Sequence, residues 1–444
     1  METFLTTTAE VLSILHLVSA LLASGHVVLS HPQARGASLW LGLIWLVPWL
    51  GPLLYVLVGI NRVPRRARGR IPSFDAVTPW MPNSRLRCLV GGDEAYAEMI
   101  AAIDSAQETV HLQSYIFDND RAGELFCLAF ERAIARGVVV RVLIDAVGAS
   151  YSRPTIVGKL KSIGVEVARF MSTSVPWRWQ YANMRNHRKL MVVDGTRAFF
   201  GGMNIREGCM DSLRPTHPTL DIHFQVEGPI ITSLISLFSG DWTFATGQAL
   251  AAPELWVTTH ETETSARLVH CGPDRTDEPI RWLKLAAVVR ARYRVRIMTP
   301  YFVPDEDVIT ALLAAMTAGV KIQIVMPSQN NLRLVAWASR ACWARLIARG
   351  AEIVLSPPPF EHSKLMLIDD DLAIVGSANW DERSFRLNFE ADIECSDCDL
   401  VRQMDAMLDS RIEGVAPVTL DDLAHDSLPV RLRDGTARLA LPYL

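Results

Sequence analysis

The sequence predicts an α/β protein made of two similar halves, preceded by a helical hairpin that spans a membrane. Three observations support this class. Predicted helices alternate with short, buried, apolar strands, which is typical of layered α/β domains. The order of helices and strands in the first half is repeated in the second, which indicates an internal duplication. Two long segments near the N-terminus contain no charged residue.

The composition limits the number of domains and the class of partner. The chain has 444 residues, more than one ordinary core holds, and 50% of them are hydrophobic. Because the whole chain carries a net charge of −4 and the first 70 residues +4 (six Arg against Glu2 and Glu10), the remainder carries −8. An acidic main body does not suit non-specific binding of a polyanion, so we expect no nucleic-acid partner.

The uncharged segments, residues 11–29 and 38–60, each approach or exceed the roughly 20 residues that a helix needs to span a bilayer. We predict transmembrane helices over about 9–30 and 38–60, within a membrane anchor of residues 1–70. Pro48 and Pro52 lie in the second segment, where bilayer helices tolerate proline. A cleaved signal peptide is the alternative for the first segment, but the first ten residues lack the expected Lys or Arg.

The charges that flank the predicted hairpin indicate its orientation. Residues 62–70 contain five Arg, whereas the loop between the two segments contains only Arg35. Because positive residues stay on the cytoplasmic side, everything after residue 60 is expected to face the cytoplasm. We therefore predict a multi-pass protein of a bacterial-type inner (cell) membrane, with Arg near the surface of anionic lipid.

The repeated plan runs helix, strand, helix, strand, helix, strand, and it predicts domains over 71–248 and 249–444, the second with a C-terminal tail. The boundary lies in an Ala- and Gly-rich stretch, and glycines occupy the helix ends as C-caps do. The equivalent positions are Tyr115 and Tyr301 at strand ends, and Gly137 with Gly319 and Gly164 with Gly350 at helix ends.

Each half then contains a polar triplet, HxK, fused to an apolar strand. His187 and Lys189 form the first triplet, and His362 and Lys364 form the second. Residues i and i+2 share a face of a strand, so each imidazole lies beside an ammonium. Lys supplies a positive charge, and His supplies a nitrogen that can attack or carry a proton near neutral pH.

The similarity continues beyond the strands. Asn204 follows the first His by 17 residues, and Asn379 follows the second by 17. Gly202 in the first half corresponds to Ser377 in the second, so we expect Ser377 to donate a hydrogen bond to phosphate where Gly202 offers only its backbone. Two such sets facing each other would place two His, two Lys and two Asn around one phosphate.

The Asp of each motif occupies a predicted turn. Asp194 and Asp369 lie five residues after the Lys, and both are candidate catalytic residues. Because Asp in a turn often accepts hydrogen bonds from the backbone, a structural role is the alternative.

The seven Cys, an odd number, are mostly scattered among apolar residues, which predicts buried thiols and a reducing compartment. Cys395 and Cys398 form one CxxC. A single CxxC is weak support for a metal or redox site, and its role stays open.

The two motifs, HxKx4Dx6Gx2N at 187–204 and 362–379, resemble those of the phospholipase D superfamily. The sequence NWDERSFRLNFE that begins at Asn379, the N-terminal hairpin and the C-terminal tail are similar to the cardiolipin synthase subgroup. This resemblance implies two phospholipase D-like α/β/α sandwich domains in a pseudo-twofold pair with one active site at their interface. It also implies a reaction without metal or cofactor, through a phosphohistidine.

By the same resemblance, His187 is the nucleophile and His362 the general acid, although the near-symmetry of the motifs leaves that order open. Lys189, Lys364, Asn204 and Asn379 would bind the phosphate oxygens. The family also orients each His with an acid: Glu390 occupies that place in the second half, and Asp221 is the candidate in the first.

The function expected from the resemblance is transfer of a phosphatidyl group between two phosphatidylglycerols, giving cardiolipin and glycerol. The alternatives are a hydrolytic phospholipase D that releases phosphatidic acid and, with less support, a membrane-tethered phosphodiesterase or nuclease. A non-catalytic scaffold is disfavoured because both motifs are complete. Acyl-chain and headgroup preference and oligomeric state stay open.

Overall fold

The computed structural model describes residues 2–30, 34–60, 75–171, 184–250, 263–273 and 277–439. The N-terminal described residues, up to 60, belong to one compact unit, and those from 75 onward belong to another. The Arg-rich segment that was predicted to flank the membrane lies outside the described residues.

The N-terminal unit contains α1 (Glu2–Ser30), α2 (Ala34–Leu46), α3 (Leu50–Leu54) and a π-helical turn (Tyr55–Gly59). Small residues of α1, Ala20 and Ala23, are buried beside Trp40 and Ile44 of α2. One helical segment among the described residues, Glu10–Ser30, is long and apolar enough to cross a membrane. The hairpin partner is therefore shorter than predicted.

The second predicted span is wrong as a single helix over 38–60, because α2 ends before Pro48. Proline lacks the N–H of the helical ladder and its ring clashes with the carbonyl four residues earlier. Trp49 then takes a left-handed conformation, with φ of 66°, before α3 begins.

The larger unit contains nineteen strands in its described residues, and most belong to two sheets. They are β1 (Met81–Pro82), β2 (Arg85–Val90), β3 (Thr109–Ser114), β4 (Val139–Asp145), β5 (Glu166–Phe170), β6 (Lys189–Val193), β7 (Arg197–Gly201), β8 (Thr219–Leu220), β9 (Ile222–Glu227), β10 (Ser265–Cys271), β11 (Arg294–Met298), β12 (Phe302–Val303), β13 (Lys321–Pro327), β14 (Glu352–Ser356), β15 (Phe360–Glu361), β16 (Leu365–Ile368), β17 (Leu372–Gly376), β18 (Trp380–Asp381) and β19 (Glu390–Ser396).

Helices cover both faces of each sheet. They are α4 (Gly91–Ser105), α5 (Arg121–Ala135), α6 (Val157–Ser162), α7 (Ile231–Thr246), α8 (Pro279–Arg290), α9 (Glu306–Thr317), α10 (Arg333–Ile347), α11 (Cys398–Arg411), α12 (Leu420–Ala424) and α13 (Leu428–Leu439). In the first half α4, α5 and α6 share one core with the sheet and α7 packs on the other face. In the second half α8, α9 and α10 share one core with the sheet, and α11 packs against the other face.

The duplication is confirmed by strand order. The first sheet runs β2-β9-β7-β6-β3-β4-β5, and the second runs β10-β19-β17-β16-β11-β13-β14 with β1 added at its edge. Each of the seven strands of the first sheet therefore has an equivalent in the second. The predicted C-cap glycines are also confirmed: Gly137, Gly164, Gly319 and Gly350 all have positive φ, which glycine adopts without strain.

One detail differs from the predicted boundary between the halves. β1 precedes the first sheet in the sequence, yet it pairs with β10 of the second sheet, as Met81 with Ala266. The two halves belong to one compact unit, so they do not divide cleanly at residue 248.

Candidate active site

Both HxK triplets lie where a central strand begins. Lys189 opens β6 and Lys364 immediately precedes β16, and in each case the His lies two residues earlier. The Lys189 ammonium donates to the carbonyl of His187 at 2.5 Å, and the Lys364 ammonium lies 3.2 Å from Nε2 of His362. Lys364 therefore lies against the imidazole of its own His, whereas the contact of Lys189 is with the backbone carbonyl of His187.

Each His is also held by the opposite half. The backbone N–H of His187 donates to the carbonyl of Phe389 at 2.9 Å, and the backbone N–H of His362 donates to the carbonyl of Leu220 at 2.8 Å. Both acceptors immediately precede a candidate orienting acid in the sequence. The backbone therefore sets each acid of one half beside the His of the other.

The side chains complete this exchange. Nδ1 of His362 lies 2.7 Å from Oδ2 of Asp221, and Nδ1 of His187 lies 3.1 Å from Oε2 of Glu390. Both carboxylates are fully buried. The sequence analysis assigned one acid to each half; the structure pairs each acid with the His of the opposite half. A carboxylate on Nδ1 holds the proton there and leaves Nε2 as the unprotonated nitrogen.

Burial governs the charge of these groups. It lowers the pKa of His187 and lowers that of His362 to about 4, against the opposing effect of the paired carboxylates. Burial alone would raise the pKa of Asp221 and Glu390, but the imidazoles and nearby ammonium groups hold both below their usual values. At neutral pH the site therefore combines neutral imidazoles with ionised carboxylates.

The two lysines are buried as well. Burial lowers the pKa of Lys189 well below its usual value and that of Lys364 in the same direction, while Glu390 and Asp221 raise both. A phosphodiester bound here would place a negative charge beside the two ammonium groups. Because this charge would stabilise their protonated form, the site favours binding of an anion.

Ser377 is not directed as predicted. Its hydroxyl donates to Oε2 of Glu390 at 2.5 Å and accepts from the N–H of Ala391 at 3.0 Å. The hydroxyl is therefore occupied in supporting the acid of His187, and its expected hydrogen bond to phosphate has no free donor. At Gly202, its equivalent, a side chain would be crowded: a Cβ would lie 3.2 Å from Oδ1 of Asp221 and from Cδ of Lys364.

The two motif asparagines reach the same cavity. Oδ1 of Asn204 accepts from the N–H of Ile116 at 3.0 Å, so the amide nitrogen is the group it can offer to a phosphate oxygen. Asn379 is fixed through its N–H, which donates to the Ser384 hydroxyl at 3.2 Å. Its buried Oδ1 has no hydrogen-bond partner among the described residues.

The motif aspartates lie at the opposite end of their strands from the histidines. The Asp194 carboxylate accepts from three consecutive backbone N–H groups, Gln107, Glu108 and Thr109, at 2.8–2.9 Å. The Asp369 carboxylate does the same for residues 292–294, at 3.0–3.3 Å. A strand of five residues separates Asp194 from the active site by about 16 Å, so the structure does not bring these carboxylates to the reacting atoms. They brace the turns instead.

A cavity of about 810 Å³ opens between the halves and is lined by both histidines, both motif asparagines and Asp221. Four aromatic side chains also line it, and only Tyr115 and Tyr301 had been noted in the sequence, as strand ends. The Tyr115 ring meets the His187 imidazole edge-on at 5.1 Å between centroids. The repetition of Tyr at a strand end was the signal available in the sequence. The aromatic lining residues are Tyr115, Tyr151, Tyr301 and Phe360.

Arg188, between the His and Lys of the first triplet, is a supporting residue that sequence reasoning missed. It is buried, and Nε donates to the carbonyl of Glu390 at 3.1 Å while Nη1 pairs with Asp241 at 2.6 Å. A charged residue inside a buried motif was the signal. Arg188 ties the second-half acid to the first half.

The described residues contain no group of three or more His, Cys, Asp and Glu side chains placed to hold a metal ion. All seven Cys are free; Cys395 is buried on β19, and Cys398 is exposed at the start of α11. The prediction that the scattered thiols lie in apolar surroundings is confirmed at Cys127, Cys209, Cys271 and Cys342, and Cys88 is partly buried.

The chain is similar to known proteins. The family described as "Cardiolipin synthase, PLD-like domain" matches residues 99–217 and 285–412, more than half of the chain, and a phospholipase D–nuclease N-terminal family matches 18–59. Cardiolipin synthase 2 of Bacillus anthracis is 34% identical over 362 residues, which cover 81% of this chain and 70% of that protein. Cardiolipin synthase A of Pseudomonas putida (strain W619) is 30% identical over 98% of both chains.

A solved structure with a similar fold is the phosphatidylserine synthase of Haemophilus influenzae Rd KW20. Its TM-score is 0.63 at 13% identity, over 86% of this chain and all of that one. At this identity the likeness concerns the fold alone, and it supports the paired α/β/α arrangement.

Proposed function

We propose that this chain, which belongs to the family of cardiolipin synthases with phospholipase D-like domains, transfers a phosphatidyl group from one phosphatidylglycerol to another and releases glycerol. Its membership rests on the family match over more than half of its length and on relatives at 30–34% identity. The observation that carries the proposed reaction is the crossed pair of His–carboxylate couples around one cavity.

In the first half-reaction, Nε2 of His187 attacks the phosphorus of the donor lipid. A nitrogen–phosphorus bond forms, and the bond from phosphorus to the oxygen of the headgroup glycerol breaks. The departing oxygen takes a proton from Nε2 of His362, whose pKa rises when the phosphodiester anion is bound beside it. Asp221 stabilises the imidazolium that His362 must form to act as an acid.

In the second half-reaction, the headgroup hydroxyl of another phosphatidylglycerol enters. Neutral His362 takes its proton, the oxygen attacks phosphorus, and the bond to His187 breaks. Two equivalent imidazoles can exchange acid and base roles in this way, and such help is typically worth ~10²–10⁴-fold in rate. Lys189, Lys364 and the amides of Asn204 and Asn379 would stabilise the charge on the equatorial oxygens.

We also propose that the chain is a multi-pass membrane protein whose α/β halves face the cytoplasm. The apolar helix at Glu10–Ser30 and the five Arg after residue 60 support this orientation. A reporter that fluoresces only in the cytoplasm, fused after residue 439, should be bright in a bacterial host. If this fusion is dark and a reporter that works only in the periplasm is active at the same site, the orientation is opposite to the one proposed.

The test of function uses the full chain in detergent with phosphatidylglycerol, and lipid products are identified by mass spectrometry. Wild type should yield cardiolipin and glycerol, and His187→Ala should yield none. Phosphatidic acid as the main product would favour the hydrolytic alternative. Cleavage of single-stranded DNA without any lipid product would favour the nuclease.

A trapping experiment assigns the two histidines. Donor lipid labelled in its phosphate should label His362→Ala, because attack can precede the missing proton transfer, but it should not label His187→Ala. The reverse pattern would exchange the two roles without changing the reaction.

A further inference from the structure

Two residues after each motif asparagine, the two halves carry opposite charges. Arg206 follows Asn204, and Asp381 follows Asn379. The positions are equivalent in the fold: Ile205 bridges to Phe117 in parallel, and Trp380 pairs in parallel with Phe302. Both charged residues line the same cavity. Its two sides therefore carry opposite charges at these positions, whereas exact twofold symmetry would give them the same residue.

The Arg206 guanidinium has a protein counterion. Its Nε lies 3.4 Å from Oδ2 of Asp118, and the side chain is 39% exposed. At the position equivalent to Asp118 the second half has the apolar Val303. The second half therefore has neither member of this ion pair, and it has an acid at the position of the Arg.

Asp381 has no such counterion. It is 6% exposed, yet it lines the cavity. Within the described parts of the chain, its hydrogen bonds come from Ser384 alone, through the N–H at 2.7 Å and through the hydroxyl, and no Lys or Arg nitrogen lies within 4 Å of its carboxylate. A carboxylate accepts about four hydrogen bonds, so acceptor capacity remains.

We propose that Asp381 is the specificity-determining residue that binds the hydroxyl groups of a glycerol headgroup in the cavity. This inference rests on the proposed function, in which glycerol leaves from the site and a second glycerol headgroup then enters it. The same carboxylate would serve both half-reactions.

The proposed function supplies a neutral ligand for Asp381, because a glycerol headgroup offers only hydroxyl groups. Counterions already balance cations of the cavity lining: Arg185 pairs with Asp145, and Arg206 pairs with Asp118. Each hydroxyl of a glycerol headgroup can donate a hydrogen bond to the remaining acceptor positions of the Asp381 carboxylate. Burial also raises the pKa of Asp381 to about 6, although hydrogen bonds from Ser384 and the charge of Arg383 act in the opposite direction.

The test is a headgroup exchange in one tube. Full-length enzyme in detergent receives phosphatidylglycerol with equal concentrations of isotopically labelled glycerol and 1-propanol, and the two labelled products are measured by mass spectrometry. Both acceptors compete for one phosphohistidine, so the product ratio does not depend on the fraction of folded enzyme. Wild type should prefer glycerol.

Asp381→Ala should lower the glycerol-to-propanol ratio by about tenfold, because a hydrogen bond to a charged acceptor is lost. Asp381→Asn, which keeps the shape and one acceptor oxygen, should give an intermediate ratio. The matched control is Glu382→Gln, since Glu382 is the adjacent buried acid, pairs with Arg386 at 3.4 Å and is absent from the described cavity lining. Its ratio should equal that of wild type.

An unchanged ratio in Asp381→Ala overturns the inference. In a second tube, labelled ethanolamine replaces glycerol; a preference for ethanolamine over 1-propanol that disappears in Asp381→Ala also overturns it. These outcomes are separate from failure of the proposed function. If wild type exchanges glycerol but forms no cardiolipin, the proposed function fails while the role of Asp381 is still measured.

Discussion

The two halves of the larger unit share their strand order and the backbone hydrogen bonds that hold each His, yet they differ in the side chains beneath. Under Glu390, the acid of His187, lies the hydroxyl of Ser377; at the equivalent place under Asp221 lies Gly202. Duplication preserved the placement of the backbone, and divergence of the supporting side chains gave the two histidines unequal surroundings.

The two halves also differ in the residue that lies opposite the last glycine of β7 and of β17. Gly201 pairs with His223 in the first sheet, and Gly376 pairs with Asp392 in the second. His223 is a buried neutral imidazole, whereas Asp392 lies 3.5 Å from the ammonium of Lys284. One half is supported by an uncharged group and the other by a buried ion pair.

The largest expected effect comes from breaking the crossed couples. Glu390→Gln and Asp221→Asn should each lower the rate of cardiolipin formation by about 10²–10⁴-fold, because the imidazole loses the carboxylate that fixes its tautomer. With a donor whose leaving group is p-nitrophenol and needs no proton, phosphoenzyme formation should recover in Asp221→Asn but not in Glu390→Gln. Recovery in Glu390→Gln alone would mean that the roles of the two histidines are reversed.

The ion pair of the second half predicts a large effect on stability. Lys284→Met removes the partner of Asp392 and leaves a buried carboxylate uncompensated, at a cost of about 3–5 kcal/mol. The melting temperature in detergent should fall clearly, and Lys284→Met with Asp392→Asn should recover part of the loss. Lys321→Met, at an exposed lysine, is the control and should melt like wild type. If Lys284→Met and Lys321→Met melt at the same temperature, the stabilising role of Lys284 is contradicted.

A smaller effect is expected where the halves differ under the acids. Ser377→Ala removes a hydrogen bond to the ionised Glu390, which is worth about 1.5–3 kcal/mol, so kcat should fall roughly 10–100-fold. The pH at which activity declines on the acid side should shift upward, since an unsupported carboxylate has a higher pKa. If KM alone changes, Ser377 contacts the substrate instead.

The smallest effect is the pH dependence of stability from His223. Burial lowers its pKa to about 4, below the unfolded value of about 6.5. The unfolded chain therefore binds the proton first, and the stability present above pH 6.5 is lost as the pH falls towards 4. Between pH 7 and 4.5, His223→Asn should lose less in melting temperature than wild type, by roughly a few degrees. His425→Asn, at an exposed His, should match wild type.

The α/β class, the duplication, the two HxK triplets and the Asn at the same offset could be predicted from the amino-acid sequence. These features depend on local rules: strand periodicity places i and i+2 on one face, and glycine ends helices. Both acids were candidates through the resemblance to the phospholipase D superfamily, which implies an acid that orients each His.

The pairing of each acid with its His could not be predicted from the sequence and follows from the packing of the two halves. Asp221 and His362 are 141 residues apart, and His187 and Glu390 are 203 apart. No local rule relates segments so distant, because their pairing follows from how two whole sheets pack. The same reason explains why Ser377 turns to Glu390 and why Asp381 faces a shared cavity: each contact depends on the opposite half or on a folded neighbour, and the sequence around it is compatible with other partners.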